Sequence, residues 1–82
     1  MTVERRALAR GSAAADRDFR RSDRIWTRAR LARIAGWETA SPARREALDE
    51  AHRIALDAAY AAFSARIAAE LALIRHDTAP GE

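Results

Sequence analysis

Between residues 17 and 30 the chain reads RDFRRSDRIWTRAR, six arginines in fourteen positions with Phe19, Ile25 and Trp26 threaded among them. Guanidinium groups do one kind of chemistry well: each presents a rigid fork of donors that matches a carboxylate or a phosphate in bidentate fashion. At about 100° per residue, Arg17, Arg21, Arg24 and Arg28 fall in one row of a helix, with Arg20 at its edge. Arg10 joins the row if the helix continues through Gly11. Asp16, Asp18 and Asp23 fall outside that strip, while Ala15, Phe19, Ser22, Trp26, Ala29 and Trp37 gather on the opposite side. One side of this helix is therefore fitted for packing and the other for holding anions. Arg17, Arg20, Arg21, Arg24 and Arg28 are the candidate partner-binding residues. They suit an acidic surface on a larger protein or ribonucleoprotein, or nucleic-acid phosphates, where each contact releases counterions.

The remaining chemistry is sparse. Asp49 and His52 share one helix face at i,i+3, half of a bundle metal site. No further ligands converge on them, and His52 lies between Leu48 and Leu56, where it reads as a hydrogen-bonded packing residue. Trp26 and Trp37 have the type of a stacking platform for single strands, yet both lie on the packing side. The stretch RARLARIAGWETASPARREAL offers Ala32 and Gly36 to a helix-turn-helix reader. Pro42 and Arg45 then occupy positions where the second helix of that motif needs buried aliphatic residues. With no cysteine, no Gly-rich phosphate loop and no Ser-His-acid set, the chain is not expected to be an enzyme. It is expected to carry no cofactor and no metal.

The elements that must position these groups are helices. Of 82 residues, 49% are apolar, but 22 are alanine, which favours helix and removes little area from water. All 15 basic residues are arginine, as GC-rich codon usage produces. Thr2 is placed to cap a short helix over residues 3–10, with Gly11 just past its end and Ser12 capping the next. Residues 1–12 thus read as an N-terminal arm or short helix, and residues 13–76 as a helical hairpin domain. Its helices span about 13–35 and 42–75, and residues 77–82 form a flexible tail. Gly36 suits the left-handed residue past a helix end, with Trp37 folding back onto Leu31 or Ala32. Ser41-Pro42 is a cap followed by the favoured first helical residue. Two long helices joined by so short a turn lie antiparallel.

The second helix carries two apolar stripes. Leu48, His52, Leu56, Tyr60, Phe63, Ile67, Leu71 and Ile74 form a bulky one, its later part repeating every eleven residues and hence nearly straight. One position earlier, Ala47, Ala51, Ala55, Ala58, Ala62, Ala65, Ala69 and Ala72 form a ridge that lets another helix approach closely. A single hairpin partner cannot cover both, so a homo-oligomer is expected, completing the hairpin as a helical bundle. Charge is divided as well: residues 1–37 carry a net +6 and residues 38–82 a net −3. Oppositely charged halves suggest segments that lie against each other, with Arg30 and Arg33 reaching Glu46, Asp49 and Glu50. The most apolar run, Ile54 to Ile74, is broken by Asp57, Arg66 and Glu70, so no membrane span is expected. Without the apolar region of a signal peptide, the expected location is the cytoplasm. The functional expectation is a small all-α interaction protein acting on a larger macromolecule through its arginine face. An inhibitor or adaptor of the phage or mobile-element type is one form of it, and a nucleic-acid-binding accessory protein is the alternative.

Overall fold

The computed structural model describes residues 2–79. It contains two helices, α1 (Val3–Gly36) and α2 (Pro42–Thr78), and no strand among the described residues. Thr2 caps α1, its hydroxyl accepting from the Arg5 amide at 3.0 Å, and Ser41 caps α2, accepting from the Arg44 amide at 3.1 Å. Each satisfies one of the amides that a helix start leaves without an intrahelical partner. The helices run antiparallel, as the pairs Arg5–Asp77, Phe19–Phe63 and Arg33–Asp49 require. The result is a rod with principal extents of 65 × 15 × 13 Å.

Three expectations are corrected here. No break separates residues 1–12 from the rest: α1 runs through Gly11 without leaving the helical region. Glycine costs a helix about 1 kcal/mol relative to alanine, but Ala7, Ala9 and Ala13 to Ala15 surround it. Leu8 and Ser12, both half-buried, also hold the helix against α2 on either side. Arg10 therefore does join the arginine row. Nor does Gly36 adopt a left-handed conformation: it ends α1 with negative φ, and Trp37 follows at φ −63°, ψ −48°. Arg45 Nε donates to the Trp37 carbonyl at 2.9 Å, and the Ala40 amide donates to the same oxygen at 3.3 Å. At the other end, α2 continues to Thr78, beyond the expected stop at Arg75, so Asp77 and Thr78 belong to the helix and not to a tail. Residues 80–82 of the expected tail lie outside the described residues.

The seam between the helices has heptad spacing. On α1 the half-buried positions Arg5, Leu8, Ser12, Ala15, Phe19, Ser22, Trp26, Ala29, Arg33 and Gly36 alternate steps of three and four. On α2 Leu48, His52, Ala55, Ala59, Ala62, Arg66, Ala69, Leu73 and His76 do the same, and Leu48, Ala55 and Ala59 are buried. A 3.5-residue repeat keeps two helices facing each other along their length. Much of this seam is alanine, and Leu48 closes on the end of α1, where a Cβ on Gly36 would stand 3.7 Å from its Cδ1. The alanine ridge thus finds its close partner inside the hairpin, shifted to include Ala59, while Ala47, Ala51, Ala58 and Ala65 stay exposed. Polar layers interrupt the seam and pair across it. Arg66 Nε reaches Asp16 at 3.2 Å, and Trp26 Nε1 donates to His52 Nε2 at 3.3 Å. Among the described residues, no helix is long and apolar enough to cross a membrane.

Candidate functional site

The five candidate arginines all stand exposed on α1, away from the seam. Arg17 and Arg24 lie directly opposite the packed side, Arg21 and Arg28 beside them, and Arg20 toward the other edge. Extended by Arg10, the row runs eighteen steps from Arg10 to Arg28, about 27 Å of helix at 1.5 Å per residue. Its members are not equivalent. Arg20 Nε holds Asp16 at 3.0 Å and Arg21 Nη2 holds Asp18 at 3.1 Å. The strip therefore has carboxylates within reach of two of its cations, because i−4 and i−3 neighbours meet on a helix surface even when they fall in different rows. Arg10, Arg17, Arg24 and Arg28 form no ion pair among the described residues, so their forks remain available.

Elsewhere four arginines hold carboxylates within the chain. Arg33 Nε reaches Asp49 at 2.7 Å, as expected, and this takes up the carboxylate that would have joined His52 in a metal site. Among the described residues, no group of three or more His, Cys, Asp or Glu side chains is placed to hold a metal ion. Arg53 ties Glu50 and Asp57 on α2, and its hydrogen bond to Glu50 holds that carboxyl below the ordinary glutamate value. Arg5 grips Asp77 through both oxygens, Nε to Oδ1 at 2.9 Å and Nη2 to Oδ2 at 3.0 Å. That bond lowers the Asp77 pKa, with a smaller contribution from His76. His76 itself is half-buried in the seam, 3.6 Å from Glu4, one residue past the expected helix end at Arg75.

The aromatic residues of α1 stand on its packing side but are not sealed in a core. Trp26 and Phe19 do lie near Leu56 and Tyr60, and with Asp23 and Ala59 these four line a shallow open groove of about 250 Å³. Neither ring is fully buried, and the Phe19 ring packs edge-on against Phe63 with centroids 5.7 Å apart. Arginines cover the ring faces: Arg30 over Trp26 at 5.0 Å, Arg66 over Phe19 at 5.2 Å, and both Arg33 and Arg45 over Trp37. Sequence reading missed these stacks, although an i+4 arginine after Trp26 and an i−4 arginine before Trp37 are their signal. It also left open which stripe of α2 the hairpin covers. The structure buries the alanine side and leaves Tyr60, Phe63, Ile67, Leu71 and Ile74 exposed by 39% to 66%. The chain matches no family model, no curated protein and no solved structure.

Proposed function

We propose that the chain is a non-enzymatic interaction protein that docks on an acidic surface of a larger macromolecule, as an inhibitor or adaptor, through Arg17, Arg20, Arg21, Arg24 and Arg28. The observation that carries this reading is a run of exposed arginines along one helix face, three of them with no carboxylate partner among the described residues. Carboxylates at Asp49, Glu50, Asp57, Glu70 and Asp77 are each held by an arginine of the chain, whereas Arg17, Arg24 and Arg28 stand in one exposed row with none. The row is carried on a helix fixed along its whole opposite side, so its donors are presented in a set geometry. Rim charges of this kind set association rate and salt dependence more than they set stability.

The test is an affinity capture from cell extract with and without nuclease, using the wild-type chain and the double variant Arg24→Glu with Arg28→Glu. Neither residue holds a carboxylate, so the change breaks no internal pair and should shift stability by no more than about 0.5 kcal/mol. The variant should lose the captured partner while its thermal melt stays in place. Capture that survives nuclease and disappears in the variant supports a protein contact. Capture lost to nuclease, with an affinity that falls steeply with salt, assigns the row to nucleic-acid phosphates instead. Undiminished capture by the variant removes the row from the function altogether.

A further inference from the structure

The hairpin exposes more surface than a compact chain of its size. Its accessible area is 6211 Å², whereas a folded monomer of 9.1 kDa exposes about 4,900 Å². The surplus of roughly 1,300 Å² is larger than the about 800 Å² that each partner contributes to an interface of standard size. A rod has more surface by geometry, but a rod also needs something to sustain it. Only Leu48, Ala55 and Ala59 are buried among the described residues, and two of these are alanine. Ordering a backbone costs about 1–2 kcal/mol per residue, and so thin an interior returns little of it. Meanwhile Tyr60, Phe63, Ile67, Leu71 and Ile74, all large, stand exposed on one flank of α2.

We infer that this flank is the contact between two copies of the chain, packed antiparallel about a two-fold axis through Ile67 to form a four-helix bundle. The spacing of the stripe is its own argument. Its steps are 3, 4, 4 and 3, a palindrome centred on Ile67. An antiparallel copy turned about that residue sets Tyr60 against Ile74 of the second copy, Phe63 against its Leu71, and Ile67 against its Ile67. Every large residue then meets another, and the contact closes on itself with no stripe left over, as a two-fold interface must. The groove at Phe19, Trp26, Leu56 and Tyr60 lies at the height of Ile74 of the second copy, which fills it.

Charge favours the same occupant. Two acids bordering the stripe are satisfied within the chain, Asp57 by Arg53 at 3.1 Å and Glu70 by Arg66 at 3.2 Å, and Asp23 at the groove is the acid there without an ion pair among the described residues. A like apolar face fits it. A second copy is also available at the chain's own concentration. Arg17, Arg21, Arg24 and Arg28 stand on α1 away from the seam and remain free in the dimer, whereas Arg20 shares Asp16 with Arg66 beside this flank.

Sedimentation and light scattering over a wide concentration range should give twice the 9.1 kDa chain mass, with a melting temperature that rises with concentration. Ile67→Glu should halve the mass and lower the helix content at low concentration, while Ala58→Glu, on the exposed alanine flank, should keep the dimer. Because Ile67→Glu can fail to fold at all, Ile67→Cys supplies an independent reading. Mild oxidation should link that variant to itself across the axis and leave Ala58→Cys unlinked. A monomer at every concentration with a cooperative melt overturns the inference. So does a dimer whose mass survives Ile67→Glu, or one that links through Ala58→Cys in place of Ile67→Cys. The Arg24→Glu, Arg28→Glu variant should retain the dimer mass, so failure of the arginine face and failure of this interface are told apart.

Discussion

The two sides of α2 invert the usual relation between size and burial. The side facing α1 is built of Ala55, Ala59, Ala62 and Ala69 with Leu48 at one end, whereas the side turned away from the seam carries Tyr60, Phe63, Ile67, Leu71 and Ile74. Small residues allow two backbones to come close, which gives dispersion contact along the whole length but removes little apolar area from water. Large residues do the opposite, and here the hairpin leaves them uncovered. The comparison teaches that the hairpin seam decides geometry and register, while the area that could stabilise the chain lies on the other face.

The sharpest way to break this comparison is to truncate one large residue on each side. Leu48 is 5% exposed and closes the turn end of the seam. Leu48→Ala should cost about 2–5 kcal/mol, the range for emptying a buried leucine site, and for a chain this small that approaches its whole stability. Leu71→Ala, at a side chain 42% exposed, should cost far less when the chain is held monomeric by dilution. Thermal melts by circular dichroism at low concentration measure both. Equal losses in the two variants would mean that the outer stripe is already covered within one chain.

Much of this architecture was legible in the residues. Thr2 and Ser41 act as caps because their hydroxyls can reach the third amide onward, and Pro42 can only begin a helix. The arginine row follows from spacing alone and stands exposed. What misled were the glycines and the large side chains. Gly11 carries the local signal of a stop, but α1 runs through it with Leu8 and Ser12 half-buried on either side, whereas at Gly36 the helix does end, without a left-handed residue. The heptad seam was hidden because its members include Arg5, Ser12, Ser22, Arg33, His52 and Arg66, which a hydrophobic pattern discounts. Pairing across the seam makes those residues compatible with it, and pairing is a property of two segments together. Asp18 on Arg21 is the same kind of omission, since a row drawn along a helix ignores the neighbour one turn away.

A smaller effect separates size from hydrogen bonding at Trp26. The residue is half-buried, with Arg30 over its ring and its indole N–H on His52. A fully buried large aromatic costs about 3–5 kcal/mol when cut to alanine, so Trp26→Ala should cost roughly half of that. Trp26→Phe keeps most of the ring and drops the donor, and a bond of 3.3 Å lies at the long end of the range. Its loss should cost at most about 1 kcal/mol. Urea midpoints followed by circular dichroism distinguish the two, and similar losses would assign the role of Trp26 to the His52 contact.

The smallest effect belongs to the open end of the hairpin, where the comparison changes from large against small to fixed against fraying. Asp77 is drawn below its ordinary value of 3.8, first by the hydrogen bond from Arg5 and then by His76. A carboxyl whose pKa is depressed in the folded state stabilises that state above its unfolded pKa and loses the contribution as pH falls through the folded value. The pairing of Arg5 with Asp77 should therefore be complete at about pH 5 and above and should be lost as pH falls below the ordinary aspartate value and through the depressed one. Asp77 is exposed and Arg5 only half-buried at the end of the rod, so the loss should be confined to the helix ends, leaving the global melt nearly unmoved. Amide hydrogen exchange near Val3 and Thr78 should accelerate on acidification, relative to amides near Ala55 and Ala59, and Asp77→Asn should flatten that acid response. If the ends and the seam lose protection together on acidification, this pair acts on the whole hairpin and the two regions are one cooperative unit.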